Sequence, residues 1–402
     1  MQPNAASRKR PHAESTNDPL MLDDLPKVEG GELDRLQEIC SALMQTRERR
    51  FPGSQPVSFA RHHLGTLRSK PYYAAEKTDG VRYMLLILGS RGAFMVDRNF
   101  GMRRLPPMHF PNRVRSKPPV DDTLLDGELV EDATPDGPKL RYLVYDACVV
   151  AGELVAGAPL PTRLGRARLE VLAPRFAAST SSSRTHDFSG EPFAVELKDF
   201  YDVKHLPYIF EHVRPSQDKS KHLYVFKDPR RNLEHGTDGL IFTPIRDPYV
   251  PGTCQALLKW KPANMNSIDF RLATKWRTEA GFVGPQPRFM LMAADRGVPV
   301  GYDWITFTPE QQRRFASDAK ADDRIIECVY DPNHVTVMYN PRDDETTWDT
   351  PVQHRRGGWR LERVREDKHA PNDMRTVRSV WKSICEGVSE RELRSALPRP
   401  AC

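Results

Sequence analysis

The stretch Tyr72-Tyr-Ala-Ala-Glu-Lys77-Thr-Asp-Gly80-Val-Arg82-Tyr-Met-Leu-Leu-Ile-Leu88 decides how this sequence reads. Asp79-Gly80 is a tight-turn signal with β-forming residues on both sides, so a strand is expected before it and another after it. The apolar run over 84–88 fits a buried strand. Short β-rich runs alternate with Gly turns over 72–100, the mark of an antiparallel sheet. The pattern returns over 122–150, with strands at 124–130 and 140–149 around a Pro/Gly turn, and again at 239–242 and 256–260.

Outward from these strands the chain divides. Residues 1–30, rich in Pro, Ser, Asn and Asp, read as a disordered basic tail. Leu33, Leu36, Ile39, Cys40 and Leu43 fall on one helix face, and a second helix is expected over 163–176. Phe51-Pro-Gly-Ser-Gln-Pro-Val-Ser-Phe59 reads as a structured loop, and 179–183 as a low-complexity surface loop. Residues 267–371 carry short strands and many Gly, Pro and Asp turns, which suits a small β-barrel. Tyr339 to Pro351 looks like half of a WW module, but its first tryptophan is missing, so it reads as a hairpin of the barrel. Asn372 or Asp373 then caps a helix with Val377, Val380, Trp381, Ile384 and Val388 on one face. The expected fold class is α+β. Antiparallel sheets with flanking helices occupy 31–266, a barrel occupies 267–371, and a helical segment, 372–402, packs back on the first domain.

With 402 residues the chain is long enough for two or three domains. Its 39% hydrophobic and 28% charged content is that of a globular protein, and no apolar run approaches the roughly 20 residues of a membrane span. No membrane association and no secretory signal are expected. Cys40, Cys148, Cys254, Cys328, Cys385 and Cys402 form no C-x-x-C pair, which argues against a zinc site or disulfide framework and for a reducing compartment. The net charge of +6 is compatible with a polyanionic partner. Positive charge concentrates over 354–365, with Arg355, Arg356, Arg360, Arg363 and Arg365.

A lone K-x-D-G arises by chance in about one 400-residue chain in ten. The residues that follow Lys77 give it a chemical context. A lysine attacks the α-phosphate of a nucleoside triphosphate only as the neutral amine, and with a pKa of about 10.4 roughly one in a thousand is neutral at pH 7. Nearby cations are expected to lower that value. The triphosphate needs positive charge and a divalent metal, and carboxylates must hold the metal and position the ribose. The sequence supplies such a set. Arg82 follows Lys77, and Asp126 and Glu128 share one side of a strand. Asp238 opens another strand. Lys259 and Lys261 share a face in an otherwise apolar strand, poor core material that makes sense against a polyanion. Arg365-Glu366-Asp367-Lys368 closes the series.

In this order the residues resemble eukaryotic-type mRNA capping enzymes. These belong to the lysine nucleotidyltransferase superfamily that includes ATP-dependent DNA and RNA ligases. Lys77-Thr-Asp-Gly-Val-Arg82 is similar to the family's first motif, Asp97-Arg98-Asn-Phe100 to the next, Asp126-Gly-Glu128-Leu-Val to the third, and Tyr142-Leu-Val-Tyr145-Asp146 to the strand motif after it. Thr237-Asp-Gly-Leu-Ile-Phe-Thr-Pro, Pro248-Tyr-Val-Pro-Gly-Thr253 and Leu257-Leu-Lys-Trp-Lys-Pro262 resemble capping enzymes and not ligases, and Arg365-Glu-Asp-Lys-His-Ala-Pro-Asn372 resembles the last motif.

The resemblance implies a nucleotidyltransferase domain and a C-terminal OB-fold that closes over it. It implies a GTP:RNA guanylyltransferase in which Lys77 forms a phosphoramidate with GMP and passes it to a 5′-diphosphate RNA end. Arg82 and Arg98 would contact the ribose or groups near it. Glu128 would contact the ribose or hold a divalent metal, Mg2+ or Mn2+, with Asp238 near the lysine and metal. Tyr145 stands where the family stacks an aromatic on guanine, and Lys198 near the base. The plainer readings are core packing for Tyr145 and a surface turn for Arg98. Lys259 and Lys261 would hold the α-phosphate. Arg365 and Lys368, supported by Asp367, would reach the β,γ-phosphates once the domains close. A separate chain is expected to supply an RNA 5′-triphosphatase, and the phosphorylated tail of RNA polymerase II is a further implied partner. Nuclear localisation follows from this role, with Arg8-Lys9-Arg10 as a candidate import signal beside the plainer reading of a solvated tail. The competing readings are an ATP-dependent polynucleotide ligase and a non-catalytic RNA-binding scaffold on the same fold.

Overall fold

Two seven-stranded sheets and a closed five-stranded barrel carry the architecture of this computed structural model. It describes residues 22–396 apart from 115, 183–185, 218–223, 229, 279–282, 284, 340–352 and 367. Arg8-Lys9-Arg10, the hairpin expected within 339–351 (residue 340 onward) and Asp367 lie outside the described residues. Residues 22–29, assigned from sequence to the tail, belong to the fold: Leu22 and Val28 are buried, and Lys27 bridges to Arg103.

The Asp79-Gly80 turn joins two sheets rather than two paired neighbours. Tyr72–Thr78 lies in the first sheet and pairs with Leu233–Pro244 and Tyr201–Asp202. Val81–Ile87 lies in the second, between Ala93–Val96 and Thr123–Asp132. Gly80 lets the chain cross here, since a Cβ would sit 2.3 Å from the Leu129 carbonyl oxygen. The single sheet expected over 72–100 is therefore split at the turn. The first sheet continues through Gly252–Trp260 to Ser54–Ser58 on one side of Leu233–Pro244, and through Tyr224–Asp228 to Val213–Pro215 on the other. Ser54–Ser58 is a strand inside the segment read as a loop. It pairs in parallel with Gly252–Trp260 at the sheet edge, where Pro56 and an adjacent bulge are tolerated.

In the second sheet Lys139–Val150 flanks Thr123–Asp132. Both faces of Val81–Ile87 are covered, which is why it reads as an unbroken apolar run. Met84 and Leu86 pack with Leu36 and Cys40 of helix Gly30–Leu43, while Leu85 and Ile87 pack in the core that includes Tyr142, Ala167 and Val171. The helix expected over 163–176 is a longer run: Leu160–Ala167, a π turn Arg168–Leu172, then Ala173–Thr180.

The barrel closes in the order Ser267–Thr278, Pro285–Asp295, Val298–Ile305, Gln353–Val364 and Ile325–Met338 around Phe270, Leu291 and Trp359, as an OB-fold does. Its arginine run is largely neutralised. Arg355 pairs with Asp303, Arg360 with Asp331 and Arg363 with Glu327. The C-terminal segment is two helices that face two domains. Met374–Cys385, capped by Asp373, packs Val377, Val380, Trp381 and Ile384 on the barrel core. Val388 and Leu393 of the following segment join the first-sheet core instead. There Trp260 Nε1 donates to the Val388 carbonyl at 2.7 Å, and Arg61 pairs with Glu392 at 2.6 Å.

Candidate active site

Lys77, one residue before the end of its strand, lies opposite Gly239, and a bulge places Asp238 outside the regular register. Such a bulge re-aims one side chain. Gly239 makes it possible: its φ is 147°, and a Cβ would lie 2.0 Å from the Trp260 carbonyl oxygen. The redirected Asp238 carboxylate meets Lys77 Nζ at 2.6 Å and Lys261 Nζ at 2.5 Å. Lys259 and Lys261 stand on one face of Gly252–Trp260 and the residue after it, as their spacing requires.

The cavity between the two sheets has a volume of about 310 Å³. Lys77, Arg82, Arg98, Glu128, Tyr145, Lys198, Lys259 and Lys261 all line it. Asp238 touches two of these lysines. Thus nine of the site residues expected from sequence are gathered in one place. Arg365 and Lys368 are not among the lining residues. On the barrel, Lys368 Nζ pairs with Asp269 Oδ2, and an Arg365 Nη pairs with Asp269 Oδ1 at 3.2 Å.

The charge balance differs from the expectation in one respect. Burial opposes the charge on Lys77, but Asp238 and Glu128 beside it push its pKa above the ordinary lysine value. Lys77 therefore rests as an ammonium, and the neutral amine needed for attack is not the ground state. The expected depression falls on Lys259 instead, through burial and then through the charges of Lys261 and Lys77. Burial pushes the Glu128 carboxyl up, moderated by Lys77 and Lys198.

Several residues take parts that the sequence did not assign to them. Asp126 is fully buried and accepts from Arg82 Nε at 3.0 Å, Tyr145 Oη at 2.8 Å and Tyr249 Oη at 2.5 Å. Arg82 is thereby fixed between Asp126 and the Ser54 carbonyl, with Phe51 and Tyr145 rings beside its guanidinium. Its charge is committed to this pair. Arg163 and Asp146 form a second buried pair at 2.6 Å. Tyr249 lies inside a motif quoted above, so a signal existed for it. Arg163 had none beyond its place in a helical run. Lys198 Nζ is held at 2.6 Å by both Glu76 Oε1 and Thr78 Oγ1. Among the described residues no group of three or more His, Cys, Asp or Glu side chains is placed to hold a metal ion.

A cation-lined cleft between two sheets, with a lysine–aspartate pair at its wall and an OB-type barrel following, defines a nucleotidyltransferase. Residues 23–263 match the model of the mRNA capping enzyme catalytic domain, and 265–394 match that of the mRNA capping enzyme C-terminal domain. The chain belongs to the mRNA capping enzyme family. It is 32% identical to the mRNA-capping enzyme subunit alpha of Schizosaccharomyces pombe over 375 residues, covering 89% of this chain and 82% of that one. It is 31% identical to the mRNA-capping enzyme of Danio rerio over 92% of this chain, and spans 53% of that longer protein. Among solved structures, the ATP-dependent DNA ligase of bacteriophage T7 in complex with ATP aligns over 78% of this chain and 98% of its own, with 12% identity and a TM-score of 0.34. That likeness is too low to argue from. No helix of the described chain is long and apolar enough to cross a membrane.

Proposed function

We propose that the chain is an mRNA guanylyltransferase that works through Lys77. The observation that carries this reading is the Lys77–Asp238 pair at 2.6 Å on a cavity lined by Lys259 and Lys261, in a chain of this family. Lys77 gives up a proton to solvent, and the neutral amine attacks the α-phosphorus of GTP. A P–N bond forms as the nitrogen releases a second proton, the bond from the α-phosphorus to the α,β-bridging oxygen breaks, and pyrophosphate leaves. In the second step a terminal oxygen of the 5′-diphosphate RNA attacks the same phosphorus, the P–N bond breaks as its nitrogen takes up a proton, and the Lys77 amine is regenerated with the GpppN cap formed.

The place of each residue supports a part for it. Asp238 orients the Lys77 side chain and shares its charge with Lys261. Lys259 and Lys261 meet the α-phosphate when the nucleotide displaces part of this pairing. Arg82 acts chiefly by position, since Asp126 consumes its charge, while exposed Arg98 is available to the ribose side. Tyr145 presents its ring to the cavity with its hydroxyl tied to Asp126. Lys198 lies on the same wall, where the family places a base contact. Mg2+ is commonly bound by one or two carboxylates together with substrate phosphates, and Glu128 and Asp238 fit that arrangement better than an all-protein cage. They would hold Mg2+ or Mn2+, which supplies positive charge to the phosphates. Arg365 and Lys368 join the β,γ-phosphates on closure of the barrel, which also excludes water. A separate RNA 5′-triphosphatase, the phosphorylated polymerase tail and a nuclear location complete the reading.

The test is covalent labelling. Label from α-labelled GTP should survive denaturation, be absent with ATP, and be lost in Lys77→Ala. Label from ATP alone would move the protein to the ligases, and no label from either would leave a binding scaffold.

A further inference from the structure

The residue before Lys77 is tied into a buried chain of charges that the two chemical steps do not use. Lys198 Nζ reaches Glu76 and Thr78, the residues on either side of Lys77. Behind Glu76, His235 is wedged between two carboxylates: Nε2 is 3.4 Å from Glu76 Oε1, and Nδ1 is 3.1 Å from Asp132 Oδ1. His235 is 4% exposed, Glu76 3% and Asp132 1%. A neutral imidazole has one N–H and one lone pair. With a carboxylate oxygen at each nitrogen, only the imidazolium donates to both.

The surroundings of the ring come from five elements. Tyr72–Thr78 contributes Glu76, and Thr123–Asp132 contributes Asp132. Lys139–Val150 contributes Arg141, whose Nε and Nη2 each bind Asp132 at 2.8 Å. Lys198, next after Ala194–Leu197 and its paired edge, opposes the ring's charge. Tyr224–Asp228 contributes the uncharged Phe226 ring, 5.8 Å away. Burial disfavours the imidazolium, but Asp132 and Glu76 prevail and raise His235 above the ordinary imidazole value. In turn, burial works against the charge of Glu76, yet Lys198 and His235 hold its carboxyl at about 2. Glu76 lines the cavity, and its Oε2 is buried with no hydrogen-bond partner among the described residues.

We propose that His235 is a positioning residue for nucleotide binding: as an imidazolium it clamps Glu76, and through Glu76 it holds Lys198 and the end of the Lys77 strand at the cavity wall. The clamp rests on the guanylyltransferase reading of that cavity. It is intact at pH below the ordinary imidazole range and is lost as pH rises through His235's raised value. Deprotonation then sets a ring lone pair against a carboxylate oxygen, and the contact opens.

The experiment measures KM and kcat for GTP in Lys77 labelling across pH, in wild type, His235→Gln and Asp132→Asn. In wild type KM should rise as His235 loses its proton, with kcat changing less. His235→Gln should raise KM about tenfold on the acid side, a loss of about 1.4 kcal/mol of binding, and abolish the rise. Asp132→Asn leaves Glu76 and Lys198 in place but removes one carboxylate that favours the proton, so the rise should move to lower pH. Ionisation of GTP itself appears equally in all three proteins. The NMR titration of His235 in the unliganded wild type fixes where the bend must fall. Curves of one shape in all three proteins overturn the proposal. If His235→Gln does not fold, an unshifted bend in Asp132→Asn overturns it alone. A wild type that takes no label at any pH, while His235 still titrates above the ordinary range, overturns the guanylyltransferase reading instead, and the clamp's role with it.

Discussion

The cleft and the barrel hold their cations by the same device. In the cleft one aspartate, Asp238, pairs with Lys77 through one oxygen and Lys261 through the other. In the barrel one aspartate, Asp269, holds Lys368 at one oxygen and Arg365 mainly at the other, 3.2 Å against 3.5 Å. The first cluster faces a cavity; the second is not among the residues that line it. Each half pairs these cations within itself. A polyanion that competes with both aspartates would draw the halves together. In each place the carboxylate lowers in advance the cost of keeping these cations close.

Four measurements test whether cleft and barrel differ in this way. The largest effect is expected at Lys77, the proposed nucleophile. Lys77→Ala, and equally Lys77→Arg, should lower covalent labelling by more than about a thousandfold. Retained label would remove Lys77 from the chemistry and leave the cleft with no advantage over the barrel. Next comes the cleft's frame. Arg82 and Asp126 have side chains 6% and 0% exposed, and Asp126→Asn should destabilise the protein by about 3–5 kcal/mol in denaturant unfolding. A change under about 1 kcal/mol, the value of an exposed pair, would show that the pair does not frame the cleft.

The third measurement asks whether the barrel takes part. Arg365→Ala or Lys368→Ala should lower kcat/KM for labelling about a hundredfold, by removal of one charge from the transition state. Melting should change little. Full activity would confine the site to the first domain, as would identical solution-scattering profiles with and without GTP and magnesium. The smallest effect lies on the barrel's outer face. Arg360, 55% exposed and paired with Asp331, should tolerate Arg360→Ala within about 1 kcal/mol and without change in labelling. A large loss of RNA capping there, with GTP labelling intact, would instead mark the arginine run as an RNA surface.

Much of the site was legible because its residue types are unusual for their places. Two lysines at a spacing of two in an apolar strand, or an acid pair inside Thr123–Asp132, are costly unless something charged lies opposite. The supporting residues were less legible. Asp126 was seen as a strand-mate of Glu128, but its hub of Arg82, Tyr145 and Tyr249 joins segments far apart in sequence. Arg163 had only its place in a helical run, and its buried pairing with Asp146 came from the structure. The strand Ser54–Ser58 was hidden by Pro56 and Gly53, which read as loop residues and are tolerated only because the strand is an edge. The C-terminal apolar face read as one helix through Val388; the structure ends that helix at Cys385 and sets Val388 on the other core, since periodicity states that a face is buried and not against what.

Local pattern was enough for the α+β class, the barrel after the sheets, and the ordered set from Lys77 to Lys368 that resembles the capping-enzyme family. Those are properties of local pattern and order. The tertiary structure alone decided that the Lys77 turn crosses between sheets, because that depends on which strands each side pairs with. It decided too that Lys77 rests charged against Asp238, while Lys259 bears the depressed pKa. The reason is that a pKa follows from the nearest charges and the burial around them, and the bulge at Asp238 sets both for Lys77 in a way that spacing along the chain does not record.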